Sequence, residues 1–233
     1  VLDECALTLD QITSTRRVRN ARLGVDELEA TLALNRTRRA TLDAMWAACE
    51  AARPTLQRYL ERKASLLGKP RLDWWDLTAP LASTQGPLSF DTAAAQIATA
   101  FDAFDPAMGA FARRAVAERW IEAEARPGKR QGGYCTRSPA ARQSRIFMTW
   151  SGTTRSALTL AHELGHAWHN EKLFELPSSR RAIVSATAET ASTFAEALFR
   201  DHALEQATDP RVRLGMIDQQ LMAGVSFLMN IRA

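Results

Sequence analysis

Two histidines four residues apart, with a glutamate beside the first, are the residues of this sequence best suited to chemistry. They are His162, Glu163 and His166, in a stretch whose apolar spacing is typical of a helix. Because positions i and i+4 share one helical face, both imidazoles can bind one zinc ion. Glu163 is then placed to act as a general base on a water molecule rather than as a ligand. Three of the four histidines, including His169, fall within eight residues, which favours a site over chance.

A third zinc ligand is expected from a later, alanine-rich stretch. The extended motif that ends in a third histidine is absent, because Lys172 occupies that position. Glu189 lies 23 residues beyond His166, within residues 186–196, which predict a tightly packed helix. Two histidines, one glutamate and an open position form a common catalytic zinc site. Glu196 is two helical turns further on the same face, so it is an alternative ligand, a carboxylate that orients a histidine, or a plain surface residue.

Residues 126–155 interrupt the helical pattern and predict a β-hairpin beside the zinc helix. Residues 134–137 and 145–150 form its two strands, separated by a polar stretch. We expect the free edge of the second strand to bind substrate backbone by β-augmentation, with a plain core strand as the alternative. The substrate-binding residues assigned there are Arg145, Ile146, Phe147, Met148 and Thr149.

Three further side chains near the motif have open roles. Tyr134 is the candidate hydrogen-bond donor to the oxyanion that forms during amide hydrolysis. His169 lies one turn beyond His166 and either contacts substrate or packs in the interior. Cys135 has no base partner nearby in the sequence, so we expect a packed or channel-lining thiol rather than a nucleophile.

The elements that must hold this site are predicted to be mainly α-helical. Residues 1–66 read as helices that stop at Gly68, and residues 68–90 read as irregular, with Trp74 and Trp75 packed on the core. We also expect helices over residues 91–104 and 106–124, and a helix that starts between Thr153 and Ser156. The chain is expected to divide into an N-terminal helical segment (1–80) and a zinc-binding catalytic region (81–233).

Composition excludes several other classes of protein. The 233 residues carry a net charge of +4, but the basic residues are scattered among acidic ones, without a run or a nucleic-acid motif. No apolar stretch is long enough to span a membrane, so no membrane partner is expected. Three cysteines are too few and too dispersed for a disulfide framework, which favours a cytoplasmic location.

Taken together, these motifs resemble the oligoendopeptidase F group of zinc metallopeptidases, which are relatives of thimet oligopeptidase and neurolysin. The similar segments are 72–80, 128–135, 145–149, 162–169 and 188–196, so the resemblance spans roughly residues 30 to 233. It implies a helical, zincin-like core of the gluzincin type with a small β-hairpin or sheet beside the zinc helix. It also implies one zinc ion per chain, bound by His162, His166 and Glu189, and the hydrolysis of short peptides with Glu163 as general base.

The sequence also departs from that family. Relatives carry a later segment whose histidine and tyrosine side chains stabilise the oxyanion, whereas the 44 residues after Glu189 contain no tyrosine and only His202. The chain begins with Val1 rather than methionine, and we expect it to be a core fragment of a longer peptidase. A zinc-containing peptide-binding fragment without activity, and a zinc hydrolase acting on a non-peptide amide, are the alternative hypotheses.

Overall fold

The computed structural model describes residues 1–82 and 86–230, and they form two compact units. One unit comprises Val1–Ala51 with Val184–Ala186, and the other comprises Ala52–Ile183 with Thr187–Ala233. The division falls inside a long helix rather than near residue 80. The functional boundary between 1–80 and 81–233 stays a prediction, because compactness and function are different criteria.

The first unit is helical throughout. It contains α1 (Leu2–Leu23), α2 (Glu27–Leu34) and the beginning of α3 (Arg39–Leu66). Gly24 ends α1 in the left-handed conformation, with φ of 65°, and its N–H bonds back to the last turn. Asp26 begins α2, where its carboxylate accepts hydrogen bonds from two backbone N–H groups.

The second unit combines the rest of α3 with five further α-helices and a small sheet in its described residues. Its elements after α3 are α4 (Phe90–Phe104), α5 (Pro106–Ala117), β1 (Ile121–Glu122), β2 (Gly133–Ser138), β3 (Gln143–Met148), α6 (Thr154–Phe174), α8 (Thr190–Gln206) and α9 (Pro210–Val225). The residues of the short α7 (Ser185–Ala188) are divided between the two units. A π-helical turn, Ser226–Asn230, follows α9. The predicted fold class, mainly helical with a small sheet beside the zinc helix, is confirmed.

The sheet has the strand order β1-β3-β2, which corrects one expectation about substrate binding. β3 pairs antiparallel with β2 and parallel with β1, so Ile146 is opposite both Cys135 and Ile121. The hairpin is therefore present, but residues 145–148 belong to the central strand, which is paired on both sides, and Thr149 follows its end. The outer strands are β1 and β2, and β2 is the longer of the two. Sequence could not reveal this, because β1 is only two residues long and its partner is distant in the chain.

Helix α5 is also shorter than expected. The prediction of helix to residue 124 was wrong, since α5 ends at Ala117 and Arg119 adopts a positive φ of 56°. The following backbone bonds to the sheet, with the N–H of Ile146 donating to the carbonyl of Trp120. Tertiary hydrogen bonding thus overrides a sequence pattern compatible with helix.

Trp74 and Trp75 do not pack into the core, contrary to expectation. Their exposed fractions are 81% and 68%, and they lie on a 3-10 turn, Trp74–Thr78. Polar contacts hold this turn instead: Asp76 accepts a hydrogen bond from the backbone N–H of Asp73 and forms a 2.6 Å ion pair with Lys69.

A buried polar cluster joins α3 and α9 within the second unit. The ammonium of Lys63 is 3.0 Å from a carboxylate oxygen of Asp218 and donates to the carbonyl of Leu77. The hydroxyl of Tyr59 donates to the same carboxylate at 2.6 Å. Both charges are nearly inaccessible to solvent, so each depends on the other for compensation.

The apolar core lies where α4, α5, β3, α6 and α8 meet. Alanines dominate it, with larger side chains such as Ile97, Phe101, Leu160 and Leu164 fully buried among them. Small side chains let helices approach closely. None of the helices within 1–82 and 86–230 combines the length and apolar character needed to cross a membrane.

Candidate metal centre

The helix that carries the motif is fixed at its start by its own side chains. Thr153 precedes α6, and its hydroxyl accepts from the N–H of Ser156 while the Ser156 hydroxyl accepts from the N–H of Thr153. This reciprocal capping satisfies two backbone donors that the helix leaves free. The predicted start of the helix between Thr153 and Ser156 is confirmed.

Gly165 lets α6 and α8 approach more closely than any other residue would allow. A Cβ atom at this position would lie 2.7 Å from the carbonyl oxygen of Ala191 and 2.7 Å from the Cβ of Ala195. A glycine inside a helix costs about 1 kcal/mol relative to alanine, which is offset here by the packing that it permits. The contact brings α8, and the residue just before it, against the face that carries the histidines.

His162, His166 and Glu189 meet at one point. The same carboxylate oxygen of Glu189 lies 3.1 Å from Nε2 of His162 and 3.2 Å from Nε2 of His166. One ligand atom from each residue falls within a common span of 4.8 Å. Two imidazole nitrogens and one carboxylate oxygen form the donor set of a catalytic zinc site, so these residues fit the ion.

Glu189 is not inside one continuous helix, as the sequence pattern suggested. It lies between α7 and α8, with backbone angles near the helical region, and its side chain is 62% exposed. Because the side chain of Glu189 is exposed, the cluster of His162, His166 and Glu189 is accessible to solvent on the side of Glu189. The hydroxyl of the fully buried Ser192 donates to the same carboxylate oxygen at 2.8 Å, a contact that sequence analysis missed.

Glu196 contacts the other nitrogen of His162. Its carboxylate oxygen is 3.4 Å from Nδ1, while Nε2 of the same ring faces Glu189. A carboxylate at Nδ1 favours the tautomer that carries its proton on that atom, which leaves the lone pair of Nε2 for a metal ion. The hydrogen bond to Glu196, followed by the charges of Glu163 and Glu189, raises the pKa of His162, whereas burial lowers the pKa of His166.

Glu163 is buried and only partly satisfied. It is 4% exposed, and its Oε2 atom has no hydrogen-bond partner among the described residues. Burial raises the pKa of Glu163 to about 7, and the negative charge of Glu189 adds to the rise while His162 opposes it. A carboxyl group with a pKa near neutrality can both accept and return a proton.

The edge strand passes directly over this carboxyl group at Gly133. A Cβ atom there would lie 2.9 Å from Oε1 of Glu163 and 3.0 Å from the side chain of Thr159. Glycine is therefore needed for β2 to lie against α6. The paired glycines in the sequence signalled a break in helix, but nothing in the pattern connected Gly133 with Glu163.

A cleft of about 490 Å³ runs along β2 and α6 and includes the three candidate ligands. Cys135 lines it, as expected for a channel-lining thiol, and burial raises the pKa of this thiol to about 12. Asn170 donates to its sulfur at 3.8 Å and to the hydroxyl of Ser144 at 3.1 Å. A thiol that stays protonated is a poor nucleophile.

The other residues predicted to contact substrate are distributed differently. His169 lines the cleft and is partly buried, whereas the ring of Tyr134 stacks on Phe147 with centroids 5.2 Å apart. Side chains alternate along a strand, so this ring lies on the sheet face opposite to Gly133 and Cys135. Tyr134 is nevertheless among the residues that line the cleft, and a hydrogen bond from its hydroxyl to an oxyanion stays a prediction.

Comparison with known proteins agrees with this arrangement. The chain is 26% identical over 196 residues to an oligoendopeptidase F homolog of Lactococcus lactis subsp. lactis, covering 83% of this chain and 32% of the relative. It is 28% identical over 171 residues to the group B oligopeptidase PepB of Streptococcus agalactiae, covering 72% and 28%. The chain thus spans about a third or less of the length of these curated relatives.

Solved structures share the fold. A Chlamydophila abortus protein described as a peptidase superposes with a TM-score of 0.75 at 20% identity, over 85% of this chain and 33% of that protein. The structure of PZ peptidase A with an inhibitor gives a TM-score of 0.63 at 18% identity, over 88% and 36%. The family model for peptidase family M3 matches residues 6–225, nearly the whole sequence. This chain therefore belongs to peptidase family M3.

Proposed function

We propose that this chain is the zinc-binding core of an endopeptidase that hydrolyses short peptides. The observation that carries the proposal is the meeting of His162, His166 and Glu189 beside the buried carboxyl group of Glu163. Relatives named oligoendopeptidase F, PepB and PepF support the choice of short peptides as substrate. A bound zinc ion would polarise the scissile carbonyl and lower the pKa of a water molecule.

Glu163 supplies the acid–base chemistry. Its unpartnered Oε2 atom accepts a proton from the attacking water and then donates that proton to the nitrogen of the leaving amine. Glu196 holds the ring of His162 in one tautomer, and Ser192 holds the carboxylate of Glu189. These two residues act through the ligands and do not touch substrate.

Peptide backbone binds along β2 in this proposal. β2 is an edge strand of the sheet, and its first residue lies against Glu163. An extended peptide that adds to the open edge would therefore pass the carboxyl group that handles the proton. The open backbone groups of β2 replace residues 145–149 in the role first assigned to those residues.

The three cysteines support a reducing, cytoplasmic location. Cys5, Cys49 and Cys135 are all free thiols, and free thiols persist where glutathione keeps them reduced.

Mass-spectrometric cleavage of a peptide library by the purified, zinc-loaded chain tests the function. We expect cleavage that a chelator abolishes and that Glu163→Gln lowers by at least about 10²-fold, because the amide cannot take up the proton. The Glu163→Gln chain should still bind one zinc ion, measured by elemental analysis. Glu205→Gln, an exposed position on α8, serves as the matched control and should keep full activity.

Two results would contradict the proposal in different ways. Cleavage retained in Glu163→Gln removes this residue from the proton transfer. A chain that binds zinc one to one but cleaves no peptide in the library is instead a zinc-containing peptide-binding fragment.

A further inference from the structure

The cleft ends in a positively charged group away from the candidate metal ligands. Arg137 on β2 and His169 on α6 line this end, together with the apolar side chain of Ile183. The other end contains the carboxyl groups of Glu163 and Glu189. The two ends of one cleft therefore differ in charge and in chemistry.

Arg137 lies on the face of β2 that looks towards α6. β2 runs without a bulge from Gly133 to Ser138, so Gly133, Cys135 and Arg137 alternate onto one face. Gly133 abuts Glu163, and Cys135 contacts Asn170 on the next turns of α6. At about 3.3 Å per residue, the backbone of Arg137 lies about 13 Å along the strand from Gly133. That distance corresponds to a few residues of an extended peptide.

The guanidinium of Arg137 is held in place but its charge is not compensated. Its Nη1 atom donates to the carbonyl oxygen of Arg181 at 2.9 Å, which fixes the side chain. No carboxylate within the described ranges forms a salt bridge with it, unlike Arg113, which pairs with Asp102. A guanidinium has five N–H donors in a planar fork, so donors remain for a planar anion.

His169 adds a second polar atom without a partner. Its Nδ1 atom is buried, and no donor or acceptor in the described part of the chain satisfies it. Burial, and then the neighbouring charge of Arg137, lower the pKa of His169. Each ring nitrogen of a histidine can take part in a hydrogen bond with a bound group. Buried polar atoms are rarely left unpaired unless something binds them.

We propose that Arg137 and His169 form a carboxylate-binding subsite of this cleft, which selects peptides carrying a carboxylate a few residues from the cleaved bond. The carboxylate comes either from an Asp or Glu side chain or from the C-terminus of the peptide. The proposal rests on the peptidase function argued above and adds a substrate preference to it. A purely structural role, in which Arg137 only ties β2 to Arg181, predicts no such preference.

Paired peptides separate these possibilities. For each neutral peptide that the chain cleaves, matched pairs are synthesised that carry either Glu or Gln at one position. The substituted position is varied over the four residues on each side of the cleaved bond. Each is also prepared with a free or an amidated C-terminus, which distinguishes the two sources of carboxylate. At the position facing Arg137 we expect the carboxylate form to have kcat/KM at least about 10-fold higher, as for charge-assisted bidentate hydrogen bonds.

Substitutions of Arg137 test whether the preference for a carboxylate depends on this residue. Arg137→Gln should abolish the preference, so that kcat/KM becomes equal for the carboxylate and neutral peptides, and Arg137→Glu should favour Lys at the same position. Arg211→Gln removes the same charge from the exposed first turn of α9 and should change neither value. Thermal unfolding of each variant separates a loss of folding from a loss of selectivity.

Affinity provides a readout that does not depend on cleavage. The same Glu and Gln peptides are titrated by calorimetry into the zinc-loaded Glu163→Gln chain, where a preference of similar size is expected. If no peptide is cleaved, the proposed peptidase function fails, and the binding measurement alone decides about the subsite. Equal values for the carboxylate and neutral forms in both assays, or a preference that survives Arg137→Gln, overturn the proposal.

Discussion

At the scale of single residues, the two glutamates of the α8 region have different positions relative to His162. Glu189 faces Nε2 of both histidines, whereas Glu196 faces Nδ1 of His162 alone. A ligand and an orienting carboxylate are therefore distinguishable by geometry, although the sequence left the two roles open. The difference leads to opposite expectations for metal binding.

Glu189→Ala should lose most of its bound zinc, because one of three protein ligands is gone. Glu196→Gln should still bind one zinc ion at saturation, with affinity weakened by about 10- to 100-fold, as is typical when an orienting partner is removed. Competition with a chromogenic chelator measures both affinities, and Glu205→Gln is the control. Unchanged stoichiometry in Glu189→Ala would transfer the ligand role to Glu196.

At the scale of elements, the site depends on how closely α6 and α8 pack. Gly165 is the contact point, and the carbonyl of Ala191, two residues after the candidate ligand Glu189, lies against it. Any side chain at this position pushes α8 and its preceding junction away from the histidines. The positions of the candidate metal ligands therefore depend directly on how closely α6 and α8 pack.

Gly165→Ala should lower the free energy of unfolding by about 1–3 kcal/mol, because overpacking outweighs the gain in helix propensity. Chemical denaturation measures this change. Gly215→Ala is a matched control within α9, since a Cβ there meets nothing closer than 3.9 Å. That variant should be neutral or slightly more stable. Equal stability of the two variants would show that α6 and α8 can separate without cost.

At the scale of the whole molecule, zinc should act as a stabilising ligand. A ligand that binds only the folded state at 100 times its Kd stabilises by about 2.7 kcal/mol. For a chain of this size that corresponds to a rise in Tm of about 5–10 °C. Calorimetric scans of the zinc-loaded and chelator-treated chain measure the difference.

Histidine variants show whether this stabilisation arises at the candidate site. In His166→Ala the zinc-dependent rise should disappear, whereas His202→Ala, on α8, should retain it. The same rise in both variants would locate the stabilising ion elsewhere.

Much of the candidate site was predictable from sequence because its geometry is local. Helix periodicity alone places His162 and His166 on one face with Glu163 beside them. The alanine-rich segment after it identified Glu189 and Glu196 as the acidic candidates. The elements α4, α6 and the β2–β3 hairpin followed equally from periodicity, caps and glycines.

Only the tertiary structure decided relations between residues that are distant in the chain. The two-residue strand β1 makes β3 central and leaves β2 at an edge, so β2 rather than β3 is the strand proposed to bind substrate. Gly133 against Glu163 and Arg137 beside His169 carry no local signal in the sequence. The physical reason is that periodicity within a helix or strand is set by its own backbone, whereas strand order and the approach of one element to another are set by packing of the whole core.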